Sequence, residues 1–287
     1  MKSVTLTAKP SNDYELIDSG GEEKLERYGK FLLLRPDPQA LWEKGLPESE
    51  WKKADAWYER KEKGGSWHMK KDMPNEWPIE FGGLQFLIKP TSFKHTGLFP
   101  EQQGNWDWIQ KQCARHPGAR VLNLFAYTGA ATLAAAKAGA EVVHLDASKT
   151  AVAWARENAE ISGLSAKPIQ WVVEDALQFV RREEKRGNKY DAIIMDPPAF
   201  GHGPKDELWK IEESFLALMR SCMSILSEKP LFFLINGYAS GYSSLAFAHN
   251  LASLQEKFGG EIEYGELTIE DSKKGWLLPA GIFARWS

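Results

Sequence analysis

The chain has 287 residues, of which 43% are hydrophobic and 12% aromatic, enough for one large globular domain and a smaller one. Its net charge of −3 excludes a globally basic protein, so any surface for nucleic acid must be a local patch. The two cysteines lie far apart in sequence without metal-ligand spacing, so no metal site is expected. The sequence shows no apolar leader and no run of about 18 apolar residues, so we expect a cytoplasmic protein without a membrane segment.

Residues 1–80 predict a small β-rich domain. The segments 14–21 and 30–35 are typical of short strands. Five tryptophans alternate with lysines and arginines in this part of the chain: Trp42, Trp51, Trp57, Trp67 and Trp77. Two interpretations stay open. Either the basic and aromatic residues form a face that contacts RNA through phosphate pairing and base stacking, or the tryptophans form the core and the lysines only solvate the surface.

Residues 81–287 predict a second domain, of the α/β class. A helix at 106–115 comes first, and strands then alternate with helices, which favours a doubly wound parallel sheet. The expected strands are 121–126, 141–145, 169–173, 192–195, 231–235, 262–267 and 282–286. The expected helices between them are 130–138, 148–161, 176–185, 208–226 and 243–258. No helix separates the last two strands, so we expect seven strands with the last one antiparallel.

A glycine turn follows the first of these strands. Tyr127, Thr128 and Gly129 separate it from an alanine-rich helix, and strand, glycine turn and helix form the entry of a nucleotide-binding sheet. A pyrophosphate requires the pattern G-x-G-x-x-G, whereas Gly129 stands alone. The ligand is therefore expected to be a nucleoside without a pyrophosphate, and S-adenosylmethionine fits. The alternative is an ordinary turn glycine.

Acidic residues end the next strands. Asp146, at the tip of the second strand, is placed to accept hydrogen bonds from ribose hydroxyls, or else is a solvated acid or a helix cap. Asp175 follows the third strand, where a carboxylate and the adjacent backbone N–H of Ala176 can bond to adenine. The alternative for Asp175 is the N-cap of the next helix.

The fourth strand ends in Asp196-Pro-Pro-Ala-Phe200. Two prolines fix the backbone so that Asp196 points into the crevice beyond the strand ends, and Phe200 offers a face on which a planar base can stack. A proline-rich turn without function is the alternative.

Four segments carry a family resemblance: Asn123-Leu-Phe-Ala-Tyr-Thr-Gly129, Asp146-Ala-Ser148, Glu174-Asp-Ala176 and Asp196-Pro-Pro-Ala-Phe200. In this order and spacing they resemble class I S-adenosylmethionine-dependent methyltransferases, and within them the bacterial 23S rRNA large-subunit enzymes that modify cytosine C5 or guanine N7. The resemblance covers residues 80–287. It implies a Rossmann-like sheet, S-adenosylmethionine as cofactor and a ribosomal RNA substrate.

The resemblance also implies individual residue roles. The segment Phe99-Pro-Glu-Gln102 is similar to a family element that lies over the cofactor, with Glu101 in place of the family's Asp and Gln103 in place of its Arg. Cofactor contacts are implied for Phe99, Gln102, Asn123, Phe125, Tyr127, Gly129, Asp146, Ala147, Ser148, Asp175, Ala176 and Asp196. Catalytic roles are implied for Asp196, Pro197 and Phe200.

One departure from the family concerns the reaction. Methylation at pyrimidine C5 needs a cysteine thiolate, which the family's C5 members place just after the fifth strand. Here Asn236, Gly237 and Tyr238 occupy that place, and both cysteines fall in expected helices. Transfer to a ring or exocyclic nitrogen requires only positioning and is favoured. A methyltransferase for a protein or a small molecule, and a cofactor-binding module without turnover, remain the alternatives.

Overall fold

The computed structural model describes residues 1–61, 64–91, 94–238 and 241–287. Its strands, in chain order, are β1 (Lys2–Ala8), β2 (Tyr14–Gly20), β3 (Glu23–Tyr28), β4 (Phe31–Pro36), β5 (Ala56–Arg60), β6 (Gly65–Met69), β7 (Trp77–Phe81), β8 (Leu84–Ile88), β9 (Arg120–Leu124), β10 (Glu141–Asp146), β11 (Ile169–Val173), β12 (Ala192–Met195), β13 (Phe200–His202), β14 (Leu208–Lys210), β15 (Phe232–Gly237), β16 (Ile262–Glu270) and β17 (Leu277–Trp286). Its α-helices are α1 (Glu48–Trp51), α2 (Gln103–Ala114), α3 (Ala130–Lys137), α4 (Lys149–Ile161), α5 (Ala176–Arg186), α6 (Ile211–Ser224), α7 (Ser244–Asn250) and α8 (Ala252–Phe258).

The described residues group into two compact units. The larger contains Met1–Leu6, Gly104–Glu266 and Gly281–Ser287, and the smaller contains Thr7–Gln103 and Leu267–Ala280. These groups do not coincide with a boundary at residue 80. The β7–β8 hairpin belongs to the smaller unit because it packs there: the Trp77 indole donates to the Tyr28 carbonyl at 3.0 Å. The assignment of a catalytic part and a separate small domain stays a prediction.

The large sheet is mixed and mostly parallel. In the described part of the chain it has eight strands in the order β1-β16-β17-β15-β12-β9-β10-β11. The run from β15 to β11 is parallel, and β17 is antiparallel to β15, as expected. Seven strands were expected, and the eighth is β1. Its alternating, β-branched sequence pairs beside β16, where a Cβ on Gly265 would lie 1.7 Å from the Val4 carbonyl oxygen.

The central strands are mostly apolar, which explains why the sequence pattern located them. Leu122, Leu124, Ile193 and Met195 are buried in one core cluster with the facing side chains of α5 and α6. Parallel strands covered on both faces need such continuous apolar runs, and each buried aliphatic side chain contributes about 1.5–3 kcal/mol. β11 and β12 have the expected bounds.

Two expected helices differ from the structure. The helix expected from residue 208 begins at Ile211, because 208–210 form β14 and pair with β13. The helix expected over 243–258 is divided into α7 and α8. The Asn250 side chain donates to the Ala246 carbonyl at 2.8 Å next to that break, a bond that competes with the helical ladder.

The tryptophans of the smaller unit divide between the two interpretations. Trp51 and Trp77 are buried, and the Trp51 indole donates to Asp18 at 3.1 Å. These two form core, as the second interpretation predicts. Trp57 on β5 is 43% exposed and lies parallel to the His68 ring, with centroids 5.1 Å apart and an interplanar angle of 9°.

Within the described ranges, no helix has the length and apolar character needed to cross a membrane.

Candidate active site

The Asp146 carboxylate, at the carboxyl end of β10, is held by two backbone donors. Its Oδ2 accepts the N–H of Tyr127 and its Oδ1 accepts the N–H of Ser148, each at 2.8 Å. Burial raises the pKa of Asp146, while these two bonds act to lower it. Each oxygen keeps further acceptor capacity. The carboxylate is therefore fixed in place and still able to receive hydrogen bonds from a ligand.

The turn after β9 has an unusual backbone. Phe125, Tyr127 and Gly129 have φ values of 55°, 49° and 90°. Left-handed geometry costs a residue other than glycine on the order of 1–2 kcal/mol, and such strain concentrates at functional sites. Both aromatic rings pack against tryptophans: the ring centroids of Phe125 and Trp209 are 4.9 Å apart, and those of Tyr127 and Trp154 are 6.0 Å apart. The turn thus holds one shape beside Asp146.

Asn123 differs from the other implied cofactor residues because its side chain is buried and engaged within the protein. It donates to the Thr132 hydroxyl at 2.9 Å, and that hydroxyl lies 3.0 Å from Nδ1 of His144. Burial lowers the pKa of His144 to about 3, so its ring is neutral. This chain ties β9 to α3 and β10. The Asn123 amide therefore stabilises the turn from inside the protein. A direct contact between Asn123 and the cofactor stays a prediction.

The next strand ends carry helix caps. Ser148 caps α4 through a 3.2 Å bond from the Ala151 N–H, and Asp175 caps α5 through a 2.9 Å bond from the Gln178 N–H. The cap expected as the alternative for Asp175 is therefore present. Ala147 is partly buried and Ala176 fully buried beside them. Because β9, β10 and β11 are parallel and in register, these groups lie along the same edge as Asp146.

Asp196 follows β12 in a different environment. It is partly buried, and nothing in the described part of the chain donates a hydrogen bond to its carboxylate or pairs with its charge. Burial alone raises its pKa to about 6. A carboxyl with this pKa is a proton acceptor that operates near neutral pH.

The segment after Asp196 is anchored while its aromatic end is exposed. Pro197 is buried, and the Pro198 carbonyl accepts the Trp209 indole N–H at 2.7 Å. Phe200 begins β13 with 57% of its surface exposed. Trp209, which the sequence did not indicate, contacts both this segment and Phe125. No local motif marks it, since it acts through the β13–β14 hairpin.

Asn236 lies near the end of β15, beside β12. Its side chain is buried and accepts the Asn105 amide at 2.9 Å. Residues 239–240, in the segment where C5 enzymes carry their cysteine, lie outside the described residues. The two cysteines are in α2 and α6 and fully buried, and burial raises the pKa of Cys113 to about 12 and that of Cys222 further still. Neither thiol lies at a strand end, as expected, and neither is an activated nucleophile.

Phe99 and Gln102 belong to the smaller unit. Phe99 precedes a single 3₁₀ turn, Pro100–Gln102, and its ring lies 5.2 Å from that of His95. Burial raises the pKa of Glu101 to about 7, against the lowering influence of Lys24. Cofactor contacts from Phe99 and Gln102 stay predictions.

The polar groups at the strand ends fit an adenosine-type ligand. A fixed carboxylate with spare acceptor capacity suits ribose hydroxyls, and a turn with one glycine provides no cradle for a pyrophosphate. The donor set therefore agrees with a nucleoside cofactor.

Comparison with known proteins gives the same class. A family model described as S-adenosylmethionine-dependent methyltransferase matches residues 57–241. The crystal structure of the SAM-dependent methyltransferase from Agrobacterium tumefaciens superposes with a TM-score of 0.94 at 38% identity, covering 100% of this chain and 95% of that one. SMU.776, crystallised in complex with SAH, shares the fold, with a TM-score of 0.71 at 20% identity over 96% of this chain and 76% of that one.

Curated relatives match over part of their length. Ribosomal RNA large subunit methyltransferase I of Aeromonas salmonicida is 37% identical over 123 residues, which are 42% of this chain and 30% of that protein. Ribosomal RNA large subunit methyltransferase K/L of Syntrophotalea carbinolica is 33% identical over 182 residues, which are 62% of this chain and 25% of that protein. The chain thus spans less than a third of the length of either relative.

Proposed function

This chain belongs to the S-adenosylmethionine-dependent methyltransferases, and we propose that it methylates a nitrogen atom of a base in ribosomal RNA. The choice of a base nitrogen rests on Asp196, whose carboxylate ends β12 without a partner among the described residues. Phe200, four positions on, is exposed. An acceptor for an N–H and a face for stacking suit a planar base. The names of the ribosomal RNA relatives support RNA as the carrier of that base.

The cofactor of the family is S-adenosylmethionine, which supplies an electrophilic methyl group when bound. We assign its ribose to Asp146, because that carboxylate is fixed by Tyr127 and Ser148 and retains acceptor capacity. Asp175 keeps one carboxylate oxygen outside its cap bond, and we assign to it and the Ala176 backbone the contact to adenine.

The protein's part in the transfer is to hold the base and receive a proton. Bound S-adenosylmethionine would give its methyl group to the base nitrogen and leave as S-adenosylhomocysteine, and a carboxylate oxygen of Asp196 would receive the proton that the nitrogen loses. Its raised pKa suits this step, because an acceptor works best with a pKa near the working pH. Pro197 stiffens the backbone under the carboxylate, and Phe200 stacks on the base.

We propose that the smaller unit contributes an RNA contact at its β5–β6 hairpin. Trp57 is exposed on this hairpin and already stacked on His68. Lys52, Lys53, Lys70 and Lys71 lie nearby in sequence and are exposed, although Lys53 pairs with Glu50 and Lys70 with Asp55. Because ribosomes are cytoplasmic in bacteria, a ribosomal RNA substrate would place the protein in the cytoplasm, and we propose that location.

The direct test is methyl transfer to RNA. Purified protein is incubated with S-adenosylmethionine carrying a tritiated methyl group and with 23S ribosomal RNA transcribed in vitro, alongside total protein and a small-molecule extract. We expect label in the RNA fraction, and about a hundredfold less with Asp196→Ala. Asp191→Ala, at the opposite end of the same strand, is the matched control. Label confined to protein or small molecules would reject RNA as the substrate.

A further inference from the structure

A chain of four polar side chains in the larger unit ends at Asn236. Glu263 Oε2 accepts from Nε of Arg285 at 3.0 Å and from Nη2 at 2.6 Å. Nη1 of the same guanidinium donates to Oδ1 of Asn105 at 3.3 Å. Nδ2 of Asn105 then donates to Oδ1 of Asn236 at 2.9 Å. Arg285, Asn105 and Asn236 are all buried.

The Arg285 guanidinium fixes the orientation of the Asn105 and Asn236 amides. A guanidinium can only donate, so the Asn105 atom that faces Arg285 must be its oxygen. The other end of the Asn105 amide is then the NH₂ group, and the Asn236 atom that faces it must be an oxygen in turn. Asn236 is left with its NH₂ group turned away from Asn105.

The chain is also held rigidly. The Arg285 guanidinium lies over the Trp108 ring at 4.8 Å and over the Phe283 ring at 5.2 Å. Phe283 of β17 pairs with Asn236 of β15. A guanidinium stacked in this way has little freedom to turn, so the amide orientation that it imposes persists.

Asn236 is the strand-end neighbour of Asp196. Met195 and Ile235 pair in the parallel register of β12 and β15, so that Asp196 and Asn236 are the next residues of their strands. Within the described ranges, nothing pairs with the Asp196 carboxylate and nothing accepts from the Asn236 NH₂ group. An acceptor and a donor thus stand side by side without partners.

We propose that Asn236 is a specificity-determining residue, whose NH₂ group donates to an acceptor atom of the methylated base while Asp196 accepts from the adjacent N–H. The inference rests on the proposed function and narrows it. The substrate is a heterocycle whose edge carries a carbonyl oxygen or a ring nitrogen next to an N–H. Asn105 and Arg285 are positioning residues that act through Asn236.

The first test removes the donor of Asn236 and keeps its acceptor. In Asn236→Asp an oxygen can still accept from Asn105, so the chain stays intact, but the NH₂ group is gone. We expect kcat on the 23S transcript to fall about tenfold or more, while affinity for S-adenosylhomocysteine and KM for RNA, which phosphate contacts dominate, stay within about twofold. Asn250→Asp on α7, whose amide donates to the Ala246 carbonyl of the same helix, is the matched control.

The second test reverses the direction of the hydrogen bond between residues 105 and 236. In Asn105→Asp the new carboxylate can only accept, so the Asn236 amide must turn its NH₂ group inward and present its oxygen. We expect the same loss of kcat as in Asn236→Asp, because both changes remove the same donor.

The outcomes separate the two claims. If the wild type labels RNA and Asn236→Asp keeps its full kcat, the inference fails and the proposed function stands. A loss of cofactor affinity together with the loss of kcat would show that the chain is only structural. If the wild type labels no RNA, the proposed function and the inference fall together.

Discussion

The Asp146 carboxylate and the Tyr127 backbone N–H are joined by a hydrogen bond of 2.8 Å. It links the end of β10 to the turn after β9, where Tyr127 itself has a positive φ. One side chain therefore holds the strained turn and offers its remaining acceptor capacity to a ligand. Replacing Asp146 should weaken cofactor binding in two ways, because the ribose contact is lost and the turn relaxes.

The first prediction follows from this arrangement. Asp146→Ala should weaken binding of S-adenosylhomocysteine by about 1.5–3 kcal/mol, or ten- to a hundredfold, because bonds to a charged acceptor are lost. Titration calorimetry measures the change. Glu141→Ala, at the exposed start of the same strand, should leave the affinity as it is. An unaltered Kd for Asp146→Ala would remove this residue from the cofactor site.

The second prediction concerns stability and pH at Asp196. Burial raises its pKa from 3.8 to about 6 in the folded protein, so its favourable contribution is complete below pH 3.8 and is lost as the pH rises through about 6. Above that pH an ionised, partly buried carboxylate destabilises the fold. Asp196→Asn should therefore increase the free energy of unfolding, by about 1 kcal/mol more at pH 8 than at pH 5.

Urea unfolding at the two pH values measures this difference. Asp72→Asn, on the exposed surface of the smaller unit, controls for the loss of one carboxylate. A gain that is larger at pH 5, or a net loss of stability at pH 8, would contradict the environment described for Asp196.

The third prediction concerns the exposed ring of Phe200. Phe200→Ala should weaken acceptor binding by about 1–3 kcal/mol, the value of one lost base stack, and leave the unfolding free energy nearly unaltered because the ring is 57% exposed. RNA binding by filter retention measures it. Leu216→Ala removes a similarly exposed apolar side chain, 58% exposed on α6, and should not affect RNA binding. Equal effects of the two changes would reject a stacking role.

The fourth prediction concerns the β5–β6 hairpin. Replacing Lys52, Lys53, Lys70 and Lys71 by alanine should flatten the dependence of log K for RNA on log salt by roughly one unit for each lost phosphate contact. Trp57→Ala should weaken binding with the slope retained, since stacking is not electrostatic. S-adenosylhomocysteine binding should stay the same in both variants. An unaltered slope after all four changes would leave the smaller unit without an RNA contact.

The central sheet and the acidic strand ends could be predicted from the sequence because their signals are local. Mostly apolar runs mark β9, β11 and β12, Asp146 ends β10, and Asp196 directly follows β12. Edge elements were harder to predict. β1 is a short alternating strand whose partner, β16, lies near the other end of the chain, and local pattern carries no information about that pairing.

The supporting residues could not be predicted from the sequence because they act over long sequence separations. Asn105 meets Asn236 across 131 positions, and Arg285 meets Asn105 across 180. Asn123 shows that a residue within a motif need not face the ligand. It lies within a recognisable motif, but strand alternation places its amide against Thr132 inside the protein. Motifs indicate which segments meet a ligand, whereas the fold decides which atoms face it.

The most direct test of the account identifies the methylated atom. Unmodified 23S transcript is incubated with the protein and S-adenosylmethionine carrying a trideuterated methyl group, and the RNA is digested to nucleosides for mass spectrometry. We predict a labelled nucleoside methylated on nitrogen, which is lost with Asp196→Ala and kept when Cys113 and Cys222 are both replaced by alanine. A labelled 5-methylpyrimidine, or a product that depends on either cysteine, would contradict it.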